Sequence, residues 1–114
     1  PLTLAGQIHG GVAQGVGQIL MEQVIYEPGS GQLLTASFMD YAMPRAEQFP
    51  FFITDISEVP AASHPLGMRG GGEGGTTPSL ATVANAICDA LDIEHIELPA
   101  TPESVWRAIK ARNS

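Results

Sequence analysis

Residues 67–78, Gly-Met-Arg-Gly-Gly-Gly-Glu-Gly-Gly-Thr-Thr-Pro, constrain this chain more than any other stretch. They set one carboxylate, Glu73, among glycines 70, 71, 72, 74 and 75, immediately before a helix start. A backbone without Cβ atoms can take unusual conformations and let a ligand come close, at an entropic cost that an ordinary surface loop has little reason to carry. A flexible connector is the plain alternative, because Gly-rich runs commonly link domains. The carboxylate buried in the run argues for a site instead. Gly70, Gly72 and Gly75 also satisfy the G-x-G-x-x-G pattern of dinucleotide loops. That pattern requires a strand leading straight into it. Pro65 stands where the strand would be, and a glutamate inside the loop would repel a pyrophosphate at the helix N-terminus. Dinucleotide binding is therefore set aside.

The helix after the loop is announced by Thr77 as N-cap and Pro78 as first residue, with Leu80, Val83, Ala84, Ile87 and Leu91 as its apolar stripe. Near the start of the chain, Ile8, Val12, Val16, Ile19 and Leu20 recur at helical spacing, which predicts a helix over residues 5–26. Its other face is uncharged: Gln7, Gly11, Gln14 and Gln18 fall within one arc. Five glycines, at positions 6, 10, 11, 15 and 17, lie in the same helix and together cost it on the order of 4 kcal/mol relative to alanine. Close approach of another backbone or of a flat ligand has to offset that loss. An amide such as Gln7 can donate and accept without taking charge into a buried site, which suits a polar ligand.

The turn Glu27-Pro28-Gly29-Ser30-Gly31 precedes a predicted strand at residues 32–39, and a second strand is predicted at 51–56. Asp40, Tyr41 and Arg45 read as a surface turn with a salt bridge. A last helix begins at Thr101-Pro102-Glu103, with Val105, Trp106 and Ile109 as its buried side and Arg107, Lys110 and Arg112 towards its C-terminal end, where the helix dipole favours them. Helices interrupted by two strands predict an α+β fold, helices packed on a small mixed or antiparallel sheet.

At 114 residues and 44% apolar composition the chain is one domain's worth of sequence. It opens on Pro1 without a signal peptide, so a piece of a longer cytoplasmic protein is expected. The net charge of −7 opposes nucleic acid and anionic membrane as partners. Cys88 is the only cysteine, which excludes an internal disulfide or a cysteine-held cluster; inside an apolar stripe it reads as an inert thiol. His9, His64 and His95 lie too far apart for ligand spacing, and no residue is assigned to a metal.

Three motifs taken in order, Gly-Gln-Ile-His-Gly-Gly-Val-Ala-Gln-Gly at residues 6–15, Ser-Phe-Met-Asp-Tyr-Ala-Met-Pro at 37–44 and the Gly-Glu-Gly-Gly loop, resemble the molybdenum hydroxylases. That family comprises xanthine dehydrogenases, aldehyde oxidases and aerobic carbon monoxide dehydrogenases. The closing Leu98-Pro99-Ala100-Thr101-Pro102-Glu103-Ser104-Val105-Trp106 resembles the end of their large, molybdenum-bearing subunit. The resemblance implies that residues 1–114 are a C-terminal fragment of the molybdopterin-binding domain of such a subunit, on the carbon monoxide dehydrogenase-like branch. It implies an oxidoreductase using molybdenum on molybdopterin in the cytosine dinucleotide form, with iron–sulfur clusters and FAD in partner subunits. Glu73 matches the family's active-site glutamate, a general base or substrate-positioning group, whose pKa a dry site would raise. Gln7 matches a glutamine that hydrogen-bonds the pterin, and Gly72 adjoins the cofactor. Gly71 departs from the family, many members of which carry a small aliphatic residue there. Taken alone, the chain is expected to be inactive and to self-associate through surfaces that the rest of the subunit would cover. The alternative of another class is a non-catalytic assembly domain whose glycine face packs on another subunit.

Overall fold

The computed structural model describes residues 2–112, which form three α-helices joined by long irregular segments: α1 (Leu2–Leu20), α2 (Thr76–Leu91) and α3 (Pro102–Arg112). Helices α1 and α2 pack directly on one another. The glycines that weaken α1 make this contact possible. A Cβ on Gly11 would lie 2.9 Å from the Thr76 nitrogen, and one on Gly15 would lie 2.6 Å from the Ser79 Cβ. From the other side, a Cβ on Gly75 would meet the Ile8 carbonyl oxygen at 2.4 Å. Small residues on both helices therefore let the backbones touch, and Gly11, Gly15, Gly75 and Ser79 are all buried. Gly6 and Gly10 are different: a Cβ at either would meet nothing within 4 Å.

The hydrophobic core lies at the C-terminal end of α1. Ile19, Ile96 and Ala100 are buried there, with Leu20, Leu80, Val83, Ile87, Cys88, Ile93 and Val105 packed around them. The Ala100 N–H donates to the Ile19 carbonyl at 2.6 Å, tying the segment before α3 to the end of α1. At the far end of α3, Arg112 donates to the Leu91 carbonyl at 2.8 Å. This core is thin. The radius of gyration is 17.9 Å, whereas a compact domain of this length has about 13 Å.

Several local expectations are corrected. Helix α1 ends at Leu20 rather than near residue 26, because the Met21 and Glu22 N–H groups both turn back onto the Gly17 carbonyl and close the ladder. Helix α2 starts at Thr76 with Gly75 as N-cap, two residues before the expected start. Pro78 then falls in the first turn, where its missing N–H costs nothing. Helix α3 begins as expected: Thr101 caps it, its hydroxyl accepting the Ser104 N–H at 3.3 Å. Trp106 and Ile109, expected to be buried, are 56% and 41% exposed, because α3 meets the core through Val105. Lys110 instead lies 5.5 Å from the Trp106 ring centre.

Residues 32–39 and 51–56 do not form ladders among the described residues; a single antiparallel bridge joins Tyr26 and Leu33. A strand needs a backbone partner, and neither segment has one beyond that bridge. Residues 51–56 nevertheless keep a strand's period of two. Phe52, Thr54 and Ile56 turn partly inward while Phe51 and Ile53 are more than nine-tenths exposed.

Candidate functional site

Helix α1 and the start of α2 fix the ground on which the glycine loop lies. At its C-terminal end, Gly75 is wedged against the backbone of Ile8, Gly11 and Val12. Thr76 anchors the helix start, its hydroxyl donating to the Gly11 carbonyl at 3.1 Å. At its near end, Gly71 lies over Leu4, whose Cδ1 would be 2.7 Å from an added Cβ. The loop thus runs along the first turns of α1, from Leu4 to Ile8, with Glu73 midway between its two points of contact. Gln7 belongs to that same stretch of helix.

Glu73 is exposed, and its side chain has no hydrogen-bond or ionic partner among the described residues. Its backbone carbonyl accepts the Thr77 N–H at 3.1 Å, which ties the residue to the first turn of α2. Gln7 is also exposed and unpartnered among the described residues. Gly72 is open, with no atom within 4 Å of an added Cβ. Gly72 and Glu73 thus lie on the loop between its two contacts with α1, and Gln7 lies on the stretch of α1 between Leu4 and Ile8 that the loop touches. Gln14 falls elsewhere on the amide face, close to the helix contact, where its side-chain oxygen lies 3.4 Å from the Thr76 hydroxyl.

A groove of about 710 Å³ opens beside the loop. One wall is made by residues 56–60 and the other by Leu66, Gly67 and residues 69–71, with Leu4 below. Apolar side chains dominate it, and it is open to one side. Its walls are tied together by Arg69, whose Nε donates to the Val59 carbonyl at 2.6 Å. A second cleft of about 630 Å³ lies against α1, lined by His9, Gly10, Phe49, Phe51 and Phe52 among others. There the His9 Nε2 is 2.7 Å from the Thr54 hydroxyl, and the His9 and Phe52 rings are 5.3 Å apart. Neither the cleft nor the groove is lined by Glu73, Gln7 or Gly72, but Gly70 and Gly71 of the Glu73 loop line the groove, which is therefore taken as the candidate site.

Neither His9 nor His64 is a ligand in a cluster; each has a hydrogen-bonding task of its own. Among the described residues no three histidine, cysteine or acidic side chains come together as a metal site would need. Cys88 is half-buried against the core. Arg69 escaped the reading of the sequence, although a signal was present: it is the only Lys or Arg between Arg45 and Arg107. Gly71, the departure from the family pattern, faces the mobile end of one leucine rather than fixed backbone.

A carboxylate without a partner, an amide without a partner and open glycines near an apolar groove offer a ligand hydrogen-bonding groups and apolar surface together. The comparisons with known proteins bear on the family of the chain. The molybdopterin cofactor-binding domain family matches residues 1–50. The large subunit of nicotine 6-hydroxylase from Paenarthrobacter nicotinovorans is 43% identical over 96% of the chain. The carbon monoxide dehydrogenase large chain of Hydrogenophaga pseudoflava is 33% identical over 99% of it. Among solved structures, the Cu,Mo-CO dehydrogenase in its carbon monoxide reduced state superimposes with a TM-score of 0.90 over 99% of the chain at 30% identity. Quinoline 2-oxidoreductase from Pseudomonas putida 86 gives 0.86 over 96% at 36% identity. The chain spans 14% of the length of each of these four relatives. Matching that share of several large subunits almost from end to end, the chain belongs to the molybdenum hydroxylase large-subunit family.

Proposed function

We propose that this chain is a C-terminal segment of a molybdenum-dependent hydroxylase or dehydrogenase large subunit, and that it supplies the catalytic carboxylate and part of the molybdopterin site. The observation that carries the reading is the placement of Glu73, unpartnered and exposed, on a loop laid along the turn of α1 that bears Gln7. The residues fit the cofactor's chemistry. A pterin ring is flat and edged with donors and acceptors. Gln7 can meet either kind of atom, and the open Cα positions of Gly6, Gly10 and Gly72 leave room for a ring to approach. When bound, the molybdenum cofactor supplies the oxidising centre and accepts the electrons. The chain's own residues contribute the following. Glu73 removes a proton in the transition state or holds the substrate for attack, which requires it within hydrogen-bond reach of the reacting group. Gln7 fixes the orientation of the pterin edge, and the groove beside Gly70 and Gly71 offers apolar surface to the substrate.

In the complete enzyme we place the cofactor in its cytosine dinucleotide form, with iron–sulfur clusters and FAD in partner subunits, in the cytoplasm. No described helix is long and apolar enough to cross a membrane. The α+β architecture belongs to the parent domain in this reading: residues 51–56, with their strand-like alternation and unpaired backbone, gain strand partners from the remainder of the subunit. Isolated, the chain is inactive and self-associates, since Phe38, Met39, Phe51 and Ile53 are all more than 80% exposed. The relatives' names span carbon monoxide, nicotine and quinoline, so a panel of these three compounds with an artificial electron acceptor is the first substrate screen.

The test is Glu73→Gln in the complete, cofactor-loaded complex. Size and hydrogen bonding are kept while the base is lost, so kcat falls by about 10² to 10⁴ with molybdenum content unchanged. Turnover at the parent level would end the catalytic assignment.

A further inference from the structure

The Glu73 loop poses a mechanical problem. Glycines 70, 71, 72, 74 and 75 give it great conformational freedom, yet a catalytic carboxylate has to be held within about 0.5 Å of its working position. On the C-terminal side the restraint is clear: Gly75 is wedged on α1 and the Thr77 N–H holds the Glu73 carbonyl. On the N-terminal side, a Cβ added at Gly70 or Gly72 would meet nothing within 4 Å and Gly71 lies only over the flexible end of Leu4, so the last hydrogen-bonded attachment before Glu73 is Arg69.

Arg69 donates from Nε to the Val59 carbonyl at 2.6 Å, ten residues back along the chain and across the groove. A guanidinium donor makes this a charge-assisted bond, stronger than a neutral one. Between its two ends the chain is folded into a turn centred on His64. The His64 Nδ1 accepts the Leu66 N–H at 3.1 Å, with the Met68 N–H at 3.4 Å. The Gly67 N–H donates to the His64 carbonyl at 2.8 Å, and the Ala61 N–H donates to the Gly67 carbonyl at 3.0 Å. Gly67 has φ +67°, a left-handed conformation that favours glycine, and Pro60 packs against it. The turn fixes where Arg69 leaves it, and Arg69 fixes the distance between the groove's walls.

We infer that Arg69 is the positioning residue of the catalytic loop: a strut across the groove that holds the N-terminal end of the Glu73 segment, with His64 shaping the turn that delivers it. The inference rests on the reading of Glu73 as the working carboxylate. Arg69 itself does not enter the chemistry. Its effect passes through the position of Glu73, so losing it lowers kcat more than it changes KM, and leaves the metal in place.

The experiment uses the complete complex with Arg69→Met, which keeps the apolar stem without the donor, Arg69→Lys, which restores a donor, and His64→Ala beside His64→Asn, which restores an acceptor. Each is measured for backbone hydrogen exchange over residues 64–75, molybdenum content, and kcat and KM on whichever compound of the panel the parent turns over fastest. Arg69→Met and His64→Ala are expected to speed exchange in that segment and to lower kcat by about 10-fold to 100-fold, as small misplacements of reacting groups do. Molybdenum content and KM stay near the parent's, and Arg69→Lys and His64→Asn recover most of both losses. Unchanged exchange in Arg69→Met overturns the strut. Faster exchange with undiminished kcat, in an enzyme that Glu73→Gln inactivates, also overturns it, because the loop would then be loosened without consequence for the carboxylate. Full turnover in Glu73→Gln defeats the catalytic reading instead, and the exchange data alone then decide whether Arg69 holds the loop.

Discussion

Gly75→Ala isolates the contact on which the position of the site depends. Gly75 has φ −86° and ψ −42°, a conformation any residue adopts, so the backbone itself raises no objection to alanine. The cost is steric. The new methyl would lie 2.4 Å from the Ile8 carbonyl oxygen, 2.9 Å from the Val12 nitrogen and 3.1 Å from the Gly11 Cα. All three are backbone atoms inside α1, and none can swing aside as a side chain would. Restoring ordinary contact distance requires the start of α2 to retreat by roughly 1 Å, and overpacking of this kind costs about 1–3 kcal/mol. Expressed as local opening, that is on the order of 5-fold to 150-fold faster amide exchange in the first turns of α2. Gly10→Ala is the control: its methyl meets nothing within 4 Å, and alanine favours the helix by about 0.8–1 kcal/mol, so exchange in α1 slows or stays level. Hydrogen exchange read by mass spectrometry on the complete subunit gives both numbers in one experiment. Protection of α2 unchanged in Gly75→Ala, or lost equally in Gly10→Ala, would refute the claim that glycine packing sets the α1–α2 distance.

Two further outcomes follow from the same coordinates. Gly71→Ala restores a side chain where many relatives have one; its methyl meets only the Leu4 Cδ1, a flexible end, so the loop tolerates it and gains about 0.4–1 kcal/mol by narrowing the unfolded ensemble, seen as slower exchange over residues 70–74 with kcat retained. The Glu27 carboxyl is held below its ordinary value by the Ser30 hydroxyl and by the Gly29 and Ser30 N–H groups. A lowered carboxylate contributes stability that is complete above the ordinary pKa and disappears as pH falls through the lowered one, so the 27–31 turn loosens on the acid side only. Ser30→Ala returns the titration towards the ordinary carboxylate range, measured from the Glu27 side-chain carbon shift by NMR; an unmoved titration would remove Ser30 as a cause.

What could be read from the residues was whatever a residue carries with it. Thr101 and Pro102 mark a helix start by their own chemistry, and α3 begins there. The apolar repeat from Ile8 to Leu20 marks α1. The isolated carboxylate among glycines predicts a place where the chain can be approached; Glu73 is exposed, and Gly70 and Gly71 of its loop line an open groove. The misreadings concern properties that depend on what lies opposite. Trp106 and Ile109 satisfy the helical pattern, yet among the described residues no element covers them. Residues 51–56 alternate as a strand does but form no ladder among the described residues, and in the reading proposed above the partner lies in the rest of the subunit. Arg69 stands out in the sequence only as an isolated cation; its partner is a backbone carbonyl ten residues away, and such an acceptor is present at every residue, so the contact itself leaves no trace.

Gly17 of α1 is closed in by Glu22 and Pro44; the helix's other four glycines divide into two groups with different uses, and the division bears directly on the site. Gly11 and Gly15 face α2, where the absence of a side chain is needed for backbone contact. Gly6 and Gly10 face open space, so within this chain their cost to the helix, about 0.8–1 kcal/mol each, is offset by nothing. They lie within a turn of Gln7, an amide equally without a partner among the described residues. Packing within the described residues does not account for glycine at those two positions; the proposed cofactor, a flat ligand crossing the first turns of α1, would account for both glycines and the amide together. The same reasoning gives a test independent of catalysis. Gly10→Ala should stabilise α1 in the cofactor-free subunit, while Gly10→Leu, equally unobstructed by protein atoms, should lower the molybdenum retained by the purified complex. A Gly10→Leu complex with full molybdenum content would remove the open glycines from the cofactor face and return that role to Gln7 alone.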